Sequence, residues 1–220
     1  MDKHLLIIDL ISKAWTDTKG ICPEFQNSPC FSVFLDAALR LRTEELYQSR
    51  LHGQGHIERV MLLGAVLSWR MGLSPEELNE LLFCCAYHDI GRTHDHREDE
   101  HGENSSRIIV RKALFGYYPE ISEARYSIIL ASIAAHSVSS RNQAEFAVRW
   151  SVSETQKADF CKLASLLKDS DGLDRVRLKD LDPERLRNPE AKELIPFAKE
   201  LFDAYKLEEA NRFSQSIKTF

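Results

Sequence analysis

The chain carries no surplus of basic residues: 29 Lys and Arg stand against 34 Asp and Glu, a formal charge of −5. Proteins that grip an extended nucleic acid normally show a clear basic excess, so that class is excluded. Long apolar runs are missing as well. Leu5–Ile8 and Leu81–Tyr87 fall far short of the roughly 18 residues that cross a bilayer, and no membrane partner is expected. The opening MDKHLLIIDL sets Asp2 and Asp9 around a short apolar stretch and offers no small-residue cleavage site, unlike a secretory leader. Glycine and proline are scarce, 9 and 7 in 220 residues, which leaves little material for the frequent turns of an all-β fold. No CxxC pair occurs, and the five cysteines (Cys22, Cys30, Cys84, Cys85, Cys161) are odd in number. That argues against a disulfide framework or a thiolate zinc site and for free thiols in a reducing, cytoplasmic setting. Walker and G-x-G-x-x-G motifs, alternating strands, internal repeats and low-complexity tracts are all absent.

What is present is helical spacing on a normal globular composition, 43% apolar and 29% charged. His56–Met71 places Ile57, Val60, Leu63, Leu67 and Met71 at steps of three and four. Ser74-Pro75-Glu76-Glu77 reads as a capped helix start with Pro at the first helical position, and Gly91 as the stop of that helix. Residues 91–100 (GRTHDHREDE) read as a charged loop. Helical patterns resume over Asn104–Leu114, Ile121–Ala135, Ser153–Leu167 and Glu190–Tyr205, with a Ser/Arg/Asn cluster at 137–142 and a kink or split expected at Pro196. The expected fold is all-α: one compact domain with an N-terminal helical segment over 1–50, a core over 51–180 and closing helices over 181–220. Nothing separates core from exposed apolar surface, so monomer and oligomer both fit the sequence.

Histidine is unevenly spread. Seven of the eight, all but His4, fall between positions 52 and 136. His52 and His56 are four apart and share a face if the helix is continuous; Gly53 and Gly55 allow His52 to sit in the entering loop instead. His88 and Asp89 form a polar doublet at the end of an apolar helix, a costly arrangement unless something compensates it. His101 opens the helix after the charged loop, His136 ends SIILASIAAH, and Asp169, Asp171 and Asp174 follow FCKLASLL. Singly, each has an ordinary structural reading: a helix cap, a half-buried ring, or solvated surface for His94, His96 and Arg97–Glu100.

In order, GHIERV (55–60), YHDIGR (87–92) and LKDSDGLDRVR (167–177) resemble the HD-domain superfamily of metal-dependent phosphohydrolases, whose pattern is H…HD…D. The resemblance covers about residues 50–180 and implies that His56, His88, Asp89 and Asp171 bind metal. Asp171 aligns with the last ligand because Leu173 and Arg177 then fall in place; Gly172 stands where a basic residue is usual, and Asp169 is the alternative. His101 and His136 sit where some subfamilies place two further histidines for a second ion. His88, Asp89 and Arg92 are the expected catalytic residues. Arg59, one helical turn beyond His56, Arg92 after the doublet, and Arg175 and Arg177 after Asp171 could each meet the substrate phosphate, as could His52, or the arginines could form ordinary ion pairs.

Imidazole and carboxylate together suit one or two divalent ions such as Mn, Fe, Co, Ni, Zn or Mg. Such ions activate water near neutral pH and neutralise phosphoryl charge. The expected partner is a small phosphorylated metabolite, a nucleotide first, hydrolysed by a stand-alone enzyme. A catalytically silent nucleotide-binding HD module and a plain helical interaction protein are the rival readings. The cyclic-di-GMP phosphodiesterases of this superfamily carry His-His-Glu followed by Gly-Tyr-Pro; here His136-Ser137 lies downstream of Gly116-Tyr117-Tyr118-Pro119. The acidic pair of the stringent-response hydrolases is replaced by Ile90-Gly91-Arg92-Thr93.

Overall fold

A computed structural model describes residues 5–13, 15–139 and 142–218, with side chains up to 214. His4, Ser140 and Arg141 lie outside the described residues, as do the first residues of the 1–50 segment. The described residues contain eleven α-helices and no strand. These are α1 (Leu6–Ser12), α2 (Ile21–Gln26), α3 (Pro29–Arg40), α4 (Gln54–Arg70), α5 (Pro75–Tyr87) and α6 (His101–Arg111). They continue with α7 (Tyr126–His136), α8 (Gln143–Arg149), α9 (Lys157–Leu173), α10 (Pro189–Glu193) and α11 (Ile195–Lys218).

Helix α4 is the axis of the fold. Every residue from His56 to Ser68 is buried, as expected of a helix covered on all sides. Helices α3, α5 and α9 pack against it, α7 packs on α9 and α6, and α1 lies across α4 and α11. A buried carboxylate ties both ends of the chain to this axis: Glu58 accepts bonds from Ile7 N at 2.8 Å, Gln54 Nε2 at 2.7 Å and Tyr205 Oη at 3.0 Å. Ion pairs Lys13–Glu208 and Arg212–Asp9 fasten α1 along α11. A stack of Phe83, Phe115 and Tyr126, with ring centroids 4.5 and 3.8 Å apart, seats the connection between α6 and α7.

Several expected boundaries move, each for a physical reason. Helix α5 ends at Tyr87 rather than at Gly91. Gly91 instead lets the chain pass close to α6, since a Cβ there would stand 2.3 Å from Ser105 N. Helix α6 starts at His101, the residue expected to open it, three residues before the apolar pattern that begins at Asn104; His101, Gly102 and Ser105 are buried in its first turns. A short 3-10 turn over Glu123–Arg125 precedes α7 and delays its start from Ile121 to Tyr126. Helix α8 falls where no helix is expected, and α9 runs six residues beyond Leu167. The break near Pro196 occurs at Leu194, with Pro196 in the first turn of α11.

The capping box at α5 forms as expected: Glu77 N donates to Ser74 Oγ at 3.3 Å and Ser74 N to Glu77 Oε2 at 3.0 Å. Ser74→Ala is therefore expected to cost about 1 kcal/mol, a fall of roughly 2–4 °C in the thermal midpoint for a domain of this size. A calorimetric scan of the variant checks this.

Candidate metal centre

The candidate ligands all come from helix ends. His56 lies in the first turn of α4, His88 caps α5 with Asp89 directly after it, His101 opens α6, His136 closes α7, and Asp171 sits in the last turn of α9. Three helix C-termini (α5, α7, α9) thus face one place, and their partial negative charge favours a cation there. Glycine makes the convergence possible. A Cβ on Gly102 would stand 2.6 Å from Ile133 O and 2.9 Å from His136 Nδ1, so only glycine brings α6 this close to α7. Ser105 Oγ donates to His88 O at 2.5 Å and accepts from Gly91 N at 2.8 Å, which stitches the HD turn to α6.

The ring orientations follow from elementary hydrogen-bond chemistry. A carbonyl oxygen only accepts, so a ring nitrogen bonded to one must carry the proton. His88 Nδ1 donates to Cys85 O at 3.0 Å, His136 Nδ1 to Ile133 O at 2.6 Å, and His101 Nδ1 to Glu98 O. His56 Nδ1 donates to the Asp174 carboxylate at 2.7 Å. In each ring Nε2 then points inward. Burial drives His88 down to about 3 and lowers His136 as well, which keeps both rings neutral. Burial pushes the Asp89 carboxyl up, but His88, His101, His136 and His52 around it outweigh that and hold it well below the usual range. For Asp171 burial is likewise outweighed, by His56 and His88. These are the protonation states that metal ligation requires.

The inward atoms form two groups that share Asp89. In the first, His56 Nε2 is 3.3 Å from both His88 Nε2 and Asp171 Oδ1, and Asp89 Oδ2 is 3.7 and 3.8 Å from the two imidazoles. In the second, His101 Nε2 and His136 Nε2 are 2.9 Å apart, with Asp89 Oδ1 at 3.1 and 3.5 Å. Ligands about 2.1 Å from a common ion stand roughly 3–4 Å from one another, so both groups have the right spacing. Asp89 Oδ1 is buried and accepts no well-directed hydrogen bond. Facing lone pairs and a buried, unpartnered carboxylate oxygen repel one another unless a cation lies between them. The residues present therefore fit divalent metal.

The remaining sequence candidates divide. His52 lies before α4, in the loop, with Nδ1 3.0 Å from Asp89 Oδ2 and 3.3 Å from Arg177 Nη2. Arg92 Nε pairs with Asp89 Oδ2 at 2.9 Å. Asp169 accepts from the backbone N–H groups of Arg187 and Asn188, so it pins that segment and leaves the site to Asp171. Arg59 is buried against Asp174, while Arg175 reaches outward to Asp180. Arg177 bonds Leu51 O at 3.0 Å and Asp174 O at 3.1 Å beside His52. The sequence reading assigns no role to Asp174, Gly102 or Ser105. For Asp174 a signal exists, since it falls three residues after Asp171 and so shares its helix face; the two other roles depend on contacts between separate helices.

An all-helical domain whose helix ends gather imidazoles and carboxylates around a shared aspartate has a donor set that could hold a divalent metal. The chain belongs to the HD domain family, which matches it over residues 53–176. No curated protein and no solved structure matches it significantly.

Gly102→Val is expected to push α6 from α7, separate His101 from His136 and lower the divalent metal bound per chain while the helical circular-dichroism signal persists. Elemental analysis of the purified variant beside wild type checks this.

Proposed function

We propose that the protein is a metal-dependent phosphohydrolase with a two-ion centre, acting on a small phosphorylated metabolite, with nucleotides the first class of substrate. The observation that carries this reading is the division of the Asp89 carboxylate between two sets of inward-facing imidazoles. His56, His88 and Asp171 would hold one ion, His101 and His136 the other, and Asp89 both. Ions bound there would supply an activated water and neutralise charge on the phosphoryl oxygens.

The chain's own residues account for access and orientation. Among the ligands only Asp171 is appreciably open, its side chain 31% exposed against 6% or less for His56, His88, Asp89, His101 and His136, so substrate approaches on that side. His52 and Arg92 stand next to Asp89, with Arg177 against His52, and these are the groups assigned to the substrate phosphate. Arg59 and Arg175 leave that role, because Arg59 is buried with Nε and Nη2 on Asp174 and Arg175 is paired with Asp180 on the outside.

Asp89→Ala is expected to lower turnover by roughly three orders of magnitude, the scale of removing a principal electrostatic group from an active site, and to lose bound metal while keeping its helical content. A screen of nucleotides and sugar phosphates with Mn-, Co- and Ni-loaded protein, followed by the variant on any substrate found, checks this. Unchanged turnover in the variant contradicts the mechanism. Tight nucleotide binding with no product favours a silent binding module instead.

A further inference from the structure

Beyond the ligands, a chain of contacts runs from the C-terminal helix to the centre. Tyr205 on α11 packs over the first turn of α4, where a Cβ on Gly55 would come within 3.2 Å of its ring. The Arg59 guanidinium carbon lies 4.9 Å from the Tyr205 ring centroid and 5.2 Å from that of Phe202, one helical turn earlier on α11. From there Arg59 reaches both oxygens of Asp174, Nε to Oδ1 at 2.6 Å and Nη2 to Oδ2 at 2.9 Å. Asp174 Oδ2 in turn accepts from His56 Nδ1 at 2.7 Å. Arg59, Asp174 and His56 are all buried, at 5%, 1% and 1% exposure. Residues 177–220, which include the whole of α11, lie outside the span matched by the family.

We propose that Tyr205 and Phe202 are positioning residues for the metal ligand His56, acting through Arg59 and Asp174. The physical chain is direct. Aromatic faces restrict the plane of a guanidinium and keep water from it. A guanidinium so held makes both charge-assisted bonds to Asp174 at once. The carboxylate, fixed by those bonds, holds the proton on His56 Nδ1 and points Nε2 inward; partners of this kind typically change metal affinity by about 10–100-fold. The Tyr205 hydroxyl has a separate task, its bond to Glu58, so the ring and not the hydroxyl carries the positioning effect. The inference rests on the reading that His56 binds metal, and it concerns only the ion held by His56 and His88.

The test is a Co(II) titration of the full chain followed by visible absorption, with thermal melts in parallel, on wild type, Tyr205→Leu and Tyr205→Phe. His56→Ala identifies which of the two ions belongs to the first position. In Tyr205→Leu that ion is expected to bind about tenfold more weakly with an altered ligand-field spectrum, while the other ion is unaffected. Tyr205→Phe is expected to restore wild-type affinity to within about twofold, since it keeps the ring over Arg59. Phe202 is less buried, and Phe202→Leu carries the same expectation should Tyr205→Leu not fold. Wild-type affinity and spectrum in the Leu variants overturn the proposal, as does equal weakening of both ions or a Phe variant as weak as Leu. Absence of cobalt binding in wild type itself overturns the metal reading and this inference with it.

Discussion

The facing of unprotonated ring nitrogens governs this structure. His101 and His136 bring their Nε2 atoms to 2.9 Å, and His56 and His88 bring theirs to 3.3 Å. Their Nδ1 protons are committed to carbonyl or carboxylate acceptors, so each pair turns Nε2 towards Nε2 in a buried space. Both oxygens of Asp89 add negative charge at the junction. Such an arrangement is repulsive by itself and becomes favourable around divalent cations. The rest of the fold serves to hold it together.

That holding is done by helix ends and by small residues between helices. Gly102 closes the gap between α6 and α7, Gly91 lets the HD turn lie on α6, and Ser105 links the turn to the helix that carries His101. On the other side Asp174 links α9 to both His56 and Arg59 of α4. The segments flanking the family span contribute to the same frame, since Ile7 and Tyr205 meet at Glu58 one residue before Arg59. The orientation of His56 and the packing of both flanking segments thus share the first turns of α4.

The parts of this account legible in the sequence are those written locally. The Ser74 box is a four-residue signal, and the H…HD…D strings each lie at one helix end, so their order alone points to the centre. The sequence aligns Asp171 with the last ligand and leaves Asp169 as the alternative; in the fold Asp169 holds the backbone of Arg187 and Asn188, while Asp171 lies beside His56 and His88. Arg175 and Arg177 looked alike as phosphate contacts. They lie two apart on the 3-10 turn Asp174–Leu178, which directs one outward and the other towards His52. The apolar pattern of α6 begins only at Asn104, because the buried first turn is polar, against the rule that buried faces are apolar. Arg59 was the furthest from reach, since its partners lie 115 residues away in Asp174 and further still in α11.

The central claim is that Asp89 joins two ion positions, one on each carboxylate oxygen. Electron paramagnetic resonance of protein loaded with two equivalents of Mn(II) tests it most directly. The account predicts the spectrum of an exchange-coupled pair in wild type, and loss of that coupling in Asp89→Ala. Tightly bound but magnetically isolated Mn(II) in wild type, or no tightly bound Mn(II) at all, would contradict it.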